Sequence, residues 1–177
     1  MRCVDLAVAV GAPVVSVWSG SAPEGLEAAR GVERLVEGLT RLCAHAKGAG
    51  VRIGFEPEPH MAIETLAGWE IVRDAVASPV LGLTLDIGHC LATREGNPAE
   101  LLVRHAREIV VLQVDDHRAG VHDHLMFGEG EIDWPSVARG VRDAGYVGPI
   151  EVELSRHSSE APSTARRSIE FLRRVFD

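Results

Sequence analysis

Five short runs of aliphatic and β-branched residues recur along the chain: Val14–Trp18, Val51–Glu56, Leu81–Asp86, Ile109–Val114 and Ile150–Leu154. Each is followed by a stretch whose apolar residues fall at helical spacing. After the first run, Leu26, Ala29, Val32, Leu35, Val36, Leu39, Leu42, Cys43 and Ala46 share one helical face, and Gly48 and Gly50 stop the helix. Ser21, Ala22, Pro23 and Glu24 read as a capping box with proline in the first turn. Leu66, Trp69, Val72 and Val76 mark the next helix. Asn97 to Glu100 is a second capping box, opening a helix to about Arg107. Asp133 caps a helix ending near Gly145, and the last helix runs from about Ala161 to Val175. Single helices between single strands require parallel pairing through right-handed crossovers. An open doubly wound sheet and a portion of a (β/α)₈ TIM barrel both satisfy that order.

Composition narrows the class. The chain has 177 residues, 46% of them hydrophobic and 25% charged, which is the balance of a globular α/β domain. With 18 Lys and Arg against 26 Asp and Glu, the net charge of −8 opposes non-specific nucleic-acid binding, so no nucleic-acid partner is expected. Cys3, Cys43 and Cys90 show no metal-binding spacing and no even set, which points to a reducing, cytoplasmic setting. No apolar run reaches the roughly 18 residues of a membrane span. Leu6–Val17 imitates a short signal peptide, but Asp5, Gly11 and Pro13 interrupt it, and a helix end, a turn and a strand are expected there. The longest irregular stretch is Asp115–Ile132, and long loops in compact domains usually serve function.

Polar residues collect where such folds place their sites, at the C-terminal ends of the parallel strands. The second strand ends in Glu56. The third ends in Asp86, with His89 three residues on. The fourth carries Gln113, followed by Asp115, Asp116 and His117, and the fifth carries Glu151 and Glu153. Carboxylates converging on one point require a cation or protons to neutralise them. Three carboxylates and an amide oxygen suit Mn²⁺ or Mg²⁺, and His89 nearby would admit Co²⁺ or Zn²⁺. Glu151 competes with Glu153, because both face the same side of a strand. Glu58, His60, Gly128 and Gly130 read as loop and turn residues, and Trp18, Trp69 and Trp134 as packing residues.

Phe55-Glu56-Pro57, Leu85-Asp86-Ile87-Gly88-His89, Gly128-Glu129-Gly130-Glu131-Ile132-Asp133 and Gly145-Tyr146-x-Gly148-x-Ile150-x-x-Glu153 resemble the xylose isomerase-like TIM barrel family of sugar and sugar-phosphate isomerases and epimerases. The resemblance runs from Asp5 to the C-terminus. It implies an eight-stranded barrel, whereas five strands are legible here. A barrel takes about 250 residues, so residues 1–177 are expected to be one domain, the C-terminal part of a barrel without its first three strands. A natural short form closing its edges as a homo-oligomer is the other arrangement.

By this resemblance Glu56 and Glu153 are the metal ligands that also act as acid and base on opposite faces of the substrate. Asp86 is a metal ligand only, and His89 binds a sugar hydroxyl or carbonyl. Gln113 stands where the family usually has His, a departure shared with the hydroxypyruvate isomerase branch and favouring a harder ion. Arg118 is a weaker candidate for a substrate oxygen or phosphate. The implied activity is isomerase or epimerase chemistry on a small sugar or hydroxy-carbonyl substrate, by proton transfer through a metal-stabilised enediolate. Endonuclease IV-type phosphodiesterases also resemble the chain at Glu56, Asp86, His89 and Glu153. They add an Asp-x-His pair where this chain has His122-Asp123-His124, and would take further zinc ions. Against them stand Gln113, the acidic charge and the lack of a basic aromatic loop. An inactive barrel portion with a binding role is the third alternative.

Overall fold

In the computed structural model, which describes residues 1–21 and 24–177, the alternation is realised in the order expected from the sequence. The chain divides into two compact units, Met1–Leu85 with Glu108–Val111, and Asp86–Arg107 with Leu112–Asp177.

The first unit opens with α1 (Arg2–Val10), which ends at Gly11. There φ is 74°, a left-handed conformation that glycine adopts without a Cβ clash. Then follow β1 (Val14–Val17), α2 (Ala28–Ala49), β2 (Arg52–Phe55), α3 (Leu66–Val76) and β3 (Leu81–Asp86), whose last residue belongs to the second unit. β1 pairs with β2 in parallel, Val15 beside Ile53, and β2 pairs with β3, Phe55 beside Leu83. The strands are short because their work is packing: Ile53, Phe55 and Leu83 are fully buried, and Phe55 stacks on Trp69 of α3 with ring centroids 5.8 Å apart. α2 packs Leu39, Cys43 and Ala46 inward and ends at Gly50. It begins later than expected: its first residue is Ala28, with Glu27 at the cap position and no side-chain cap bond. The expected capping box includes Ala22 and Pro23, which lie outside the described residues. α3 is capped by Thr65, whose hydroxyl accepts from the Gly68 N–H at 3.1 Å.

The second unit contains α4 (Ile87–Ala92), α5 (Pro98–Arg104), the end of β4 (Ile109–Val114), β5 (Asp116–Arg118), β6 (Val121–Leu125), α6 (Trp134–Asp143), β7 (Ile150–Val152), a 3₁₀ turn (Ser155–Glu160) and α7 (Ala161–Phe176). β7 pairs in parallel with β4, Gln113 beside Glu151. Asn97 and Asp133 cap their helices as expected, accepting from Ala99 N–H at 2.9 Å and Ser136 N–H at 3.1 Å. α5 stops at Arg104, short of the expected Arg107, with His105 as its C-cap. The larger difference lies in Asp115–Ile132. That stretch is not irregular throughout, because β5 and β6 form an antiparallel hairpin inside it. The hairpin is written in Asp and His, so it lacks the apolar alternation by which strands are recognised. α4 is also new, a short helix started by the Asp86 side chain. Phe127, Trp134 and Phe171 form an aromatic cluster, with Phe127 and Phe171 stacked at 5.0 Å. Among the described residues no helix is long and apolar enough to cross a membrane.

Candidate functional site

Asp86 does two things at once. It ends β3 and caps α4, with one carboxylate oxygen accepting the His89 backbone N–H at 2.9 Å. The other oxygen, Oδ2, is buried with no hydrogen-bond partner among the described residues. Burial, with the Asp115 carboxylate adding to it, pushes the Asp86 carboxyl up to about 7. Glu153 follows β7, its N–H donating to the Val114 carbonyl at 3.2 Å. Its Oε2 is likewise buried and without a partner. Burial raises Glu153, and Asp86 raises it further. Carboxylate oxygens of Asp86 and Glu153 lie within 4.8 Å of each other. Gln113, half-buried on β4, turns a third partnerless oxygen, Oε1, away from solvent. Glu151 is exposed, whereas Glu153 is half-buried.

The two close carboxylate oxygens of Asp86 and Glu153, buried and without donors, are of the kind a divalent cation takes, and the Gln113 oxygen is a third of the same type. An unsatisfied buried carboxylate is costly unless a cation or a proton reaches it. Glu56 lies in the first unit, directly after β2, where its N–H donates to the Val17 carbonyl at 2.9 Å and its side chain is buried. His89 sits buried on α4. Arg118 ends β5 with an exposed guanidinium held by Asp123, Nε to Oδ2 2.7 Å.

Three residues of the site went unassigned in the sequence: Asp115, Asp116 and His117. Asp116 accepts from the N–H groups of His117 (3.0 Å), Gly128 (2.7 Å) and Ile132 (3.2 Å) and from the Trp134 indole (3.2 Å). It thereby anchors the Gly-Glu-Gly loop. Asp115 is fully buried and lies against two imidazoles, Nδ1 of His124 and, at 3.0 Å, Nδ1 of His117. Burial alone would raise Asp115, but these histidines hold it below the usual carboxylate range. Burial works against the His124 imidazolium, yet Asp115, Asp86 and Glu153 together raise it. The only sequence signal for this trio was its position after a strand end. Adjacent residues on a strand face opposite ways, and which of two neighbouring aspartates turns inward is set by the fold.

Residues 1–175 match the model of the xylose isomerase-like TIM barrel family. The chain belongs to this family. Among its relatives is L-ribulose-5-phosphate 3-epimerase UlaE of Salmonella paratyphi C, 34% identical over 130 residues, covering 73% of this chain and 45% of that protein. Inosose dehydratase of Lacticaseibacillus casei is 25% identical over 149 residues, covering 73% of this chain and 49% of its own length. The chain thus spans about half the length of these curated relatives. In fold it resembles the crystal structure of the IOLI protein with a bound zinc atom, at a TM-score of 0.82 and 20% identity, covering 99% of this chain and 66% of that one. The fold of this chain is therefore a portion of the family's TIM barrel, as its motifs and its length implied.

Proposed function

We propose that this family member carries the centre of a divalent-metal-dependent sugar or sugar-phosphate isomerase or epimerase. The observation that carries the proposal is the trio of buried, partnerless oxygens on Asp86, Gln113 and Glu153. In this reading those three residues hold the ion, and Glu56 joins them on the strength of the family motif. A bound divalent ion supplies the positive charge that makes a proton on carbon beside a carbonyl acidic. Glu153 takes that proton, and its raised basicity suits the task, since a carboxylate that holds a proton more tightly is a better base. Glu56 serves the opposite face. Return of the proton to the neighbouring carbon gives aldose–ketose isomerisation, and return on the other face gives epimerisation. His89 contacts a substrate hydroxyl or carbonyl, and Arg118 an outer oxygen or phosphate. The epimerase and dehydratase relatives support a sugar-like substrate. The oxygen donors favour Mn²⁺ or Mg²⁺, while the zinc in the IOLI protein keeps Zn²⁺ and Co²⁺ in the assay.

The test is solvent exchange. The full chain, loaded in turn with Mn²⁺, Mg²⁺, Co²⁺ and Zn²⁺, is incubated in D₂O with L-ribulose 5-phosphate, free ketoses and hydroxypyruvate. Deuterium should enter the carbon beside the carbonyl, and Glu153→Gln should slow this by about 10²–10⁴-fold. Absence of exchange with every substrate, while an ion is bound, would sink the proposal. Cleavage of an abasic-site phosphodiester with zinc would replace it with the phosphodiesterase alternative.

A further inference from the structure

Among the described residues β7 pairs with β4 alone. With the two residues after it, β7 reads Ile150-Glu151-Val152-Glu153-Leu154, apolar and acidic in strict alternation. Ile150, Val152 and Leu154 line one groove with Thr164, Ser168 and Leu172 of α7. Glu151 and Glu153 fall on the other face. A slip of one residue would reverse the two faces, but a slip of two reproduces the pattern. Hydrophobic burial therefore does not decide whether Glu153, Glu151 or Ser155 stands beside Asp86. That choice belongs to the segment joining α6 to β7.

The segment has little slack. Gly145, at φ 61°, takes the left-handed turn that follows α6. Its N–H donates to the Arg142 carbonyl at 3.0 Å, and that of Tyr146 to the Val141 carbonyl at 3.2 Å. The Tyr146 hydroxyl then donates to the Pro149 carbonyl at 2.7 Å. The same carbonyl accepts the Leu112 N–H of β4 at 3.2 Å. The phenol lies against Gly148, where a Cβ would collide with its ring and hydroxyl. Burial pushes the phenol up to about 12, so the hydroxyl keeps its proton and stays a donor. Pro149 acts in a second way. Leu112 stands beside Ile150, so in a parallel ladder the Glu151 N–H faces the Leu112 carbonyl. A slip that moved Glu151 to the place of Glu153 would bring Pro149 to that carbonyl, and proline has no N–H to give. The opposite slip would carry Pro149 off the Leu112 N–H, and the Tyr146 clasp, tied to the end of α6, resists it.

We infer that Tyr146 is a positioning residue: by holding the Pro149 carbonyl on Leu112, it sets the β7 register that brings Glu153, and not Glu151 or Ser155, to Asp86. Carboxylate oxygens of Glu153 and Asp86 lie within 4.8 Å of each other in this register. A slip of two residues moves the β7 side chains by about 7 Å along the strand. No single ion bridges that displacement, since its bonds to oxygen are about 2.0–2.6 Å long. The Gly145-Tyr146-x-Gly148 motif thereby acts on the site through the backbone of β7. The register follows from the hydrogen bonds themselves, while its consequence for a bound ion rests on the function proposed above.

The test uses the full chain, first without metal. Methyl-labelled wild type should show a strong nuclear Overhauser contact between Leu112 and Ile150, which are register partners. Tyr146→Phe removes the hydroxyl, and Gly148→Ala pushes the phenol aside. In both variants a contact from Leu112 to Val152 should appear as the first weakens. Mn²⁺ affinity by calorimetry should fall about 10-fold in each, the lower end of the loss on removing an outer-shell partner. The decisive arm is a rescue. Glu153→Gln weakens Mn²⁺ binding, and adding Tyr146→Phe with Pro149→Val, which supplies the missing N–H, should restore about 10-fold by admitting Glu151. A further Glu151→Gln should abolish that gain. A tyrosine with a merely structural role would lower stability without moving the methyl contacts or transferring metal binding from one glutamate to the other. Wild-type contacts retained in both variants, or a register that moves without loss and rescue of Mn²⁺ affinity, would overturn the inference. Tyr146→Phe deletes one oxygen and decides even where Gly148→Ala fails to fold. A wild-type chain that binds no divalent ion, with methyl contacts that shift as stated, would count against the proposed reaction and not against this register.

Discussion

Asp86 gives one carboxylate oxygen to the His89 backbone N–H at 2.9 Å and keeps the other buried without a partner. The first bond fixes the carboxylate in place by capping α4, and the second oxygen is the one assigned to the ion in the proposed function. Structure and chemistry therefore share one side chain. Asp86→Asn preserves the cap, since an amide oxygen also accepts, but removes the charge. Affinity for Mn²⁺ or Mg²⁺, read by calorimetry, should fall by more than the roughly 100-fold typical of losing an outer-shell partner. Helix content by circular dichroism should stay unchanged. Unaltered metal affinity in this variant would exclude Asp86 as a ligand.

The pH dependence of the metal-free protein follows from the same group. Asp86 is raised from 3.8 in the unfolded chain to about 7 in the fold, so the folded state binds the extra proton. Its contribution to stability is fully present below about pH 4 and is lost as pH rises through about 7. The raised Glu153 and His124 act in the same direction. The depressed Asp115 acts in the opposite one, its contribution being lost only in acid, as pH falls below the ordinary 3.8. Urea unfolding in a chelator should therefore show stability falling from pH 5 to pH 8. Asp86→Asn should flatten that slope, and a divalent ion should reverse it. A wild-type slope that rises over this window would contradict the buried, protonated state.

Gly88 is the third place to look. A Cβ there would strike both Asp115 and His117, neither of which has room to retreat, because both are fully buried. Gly88→Ala should destabilise the chain by about 1–3 kcal/mol, the usual range for overpacking, as measured by urea titration. A wild-type midpoint would mean that the α4 turn and β5 separate easily.

Asp116 is the fourth. Removing its carboxylate as Asp116→Ala leaves the Gly128 and Ile132 amides and the Trp134 indole without their acceptor. Of these, Ile132 and Trp134 are buried donors, each costing about 1–3 kcal/mol when abandoned, though not additively. A loss of about 3 kcal/mol or more is expected, with faster amide exchange across residues 126–134. Loss below about 0.5 kcal/mol would show that water replaces the carboxylate there.

The sequence by itself determined the order of strands and helices, because hydrophobic periodicity is a local property that survives into the fold. It also determined the residues at the strand ends, since parallel strands deliver their C-terminal residues to one side whatever the loops do. Asp86, Gln113 and Glu153 were legible for that reason, as were the Asn97 and Asp133 caps. The hairpin of β5 and β6 was not legible. Its strands hold together through buried polar groups, and such contacts carry no period. Nor could the sequence say which of Asp115 and Asp116 faces the histidines and which holds the Gly-Glu-Gly loop. That choice depends on how β4 hands over to β5. Only the tertiary structure decided it, by setting His117 and His124 against one aspartate and the loop amides and Trp134 against the other.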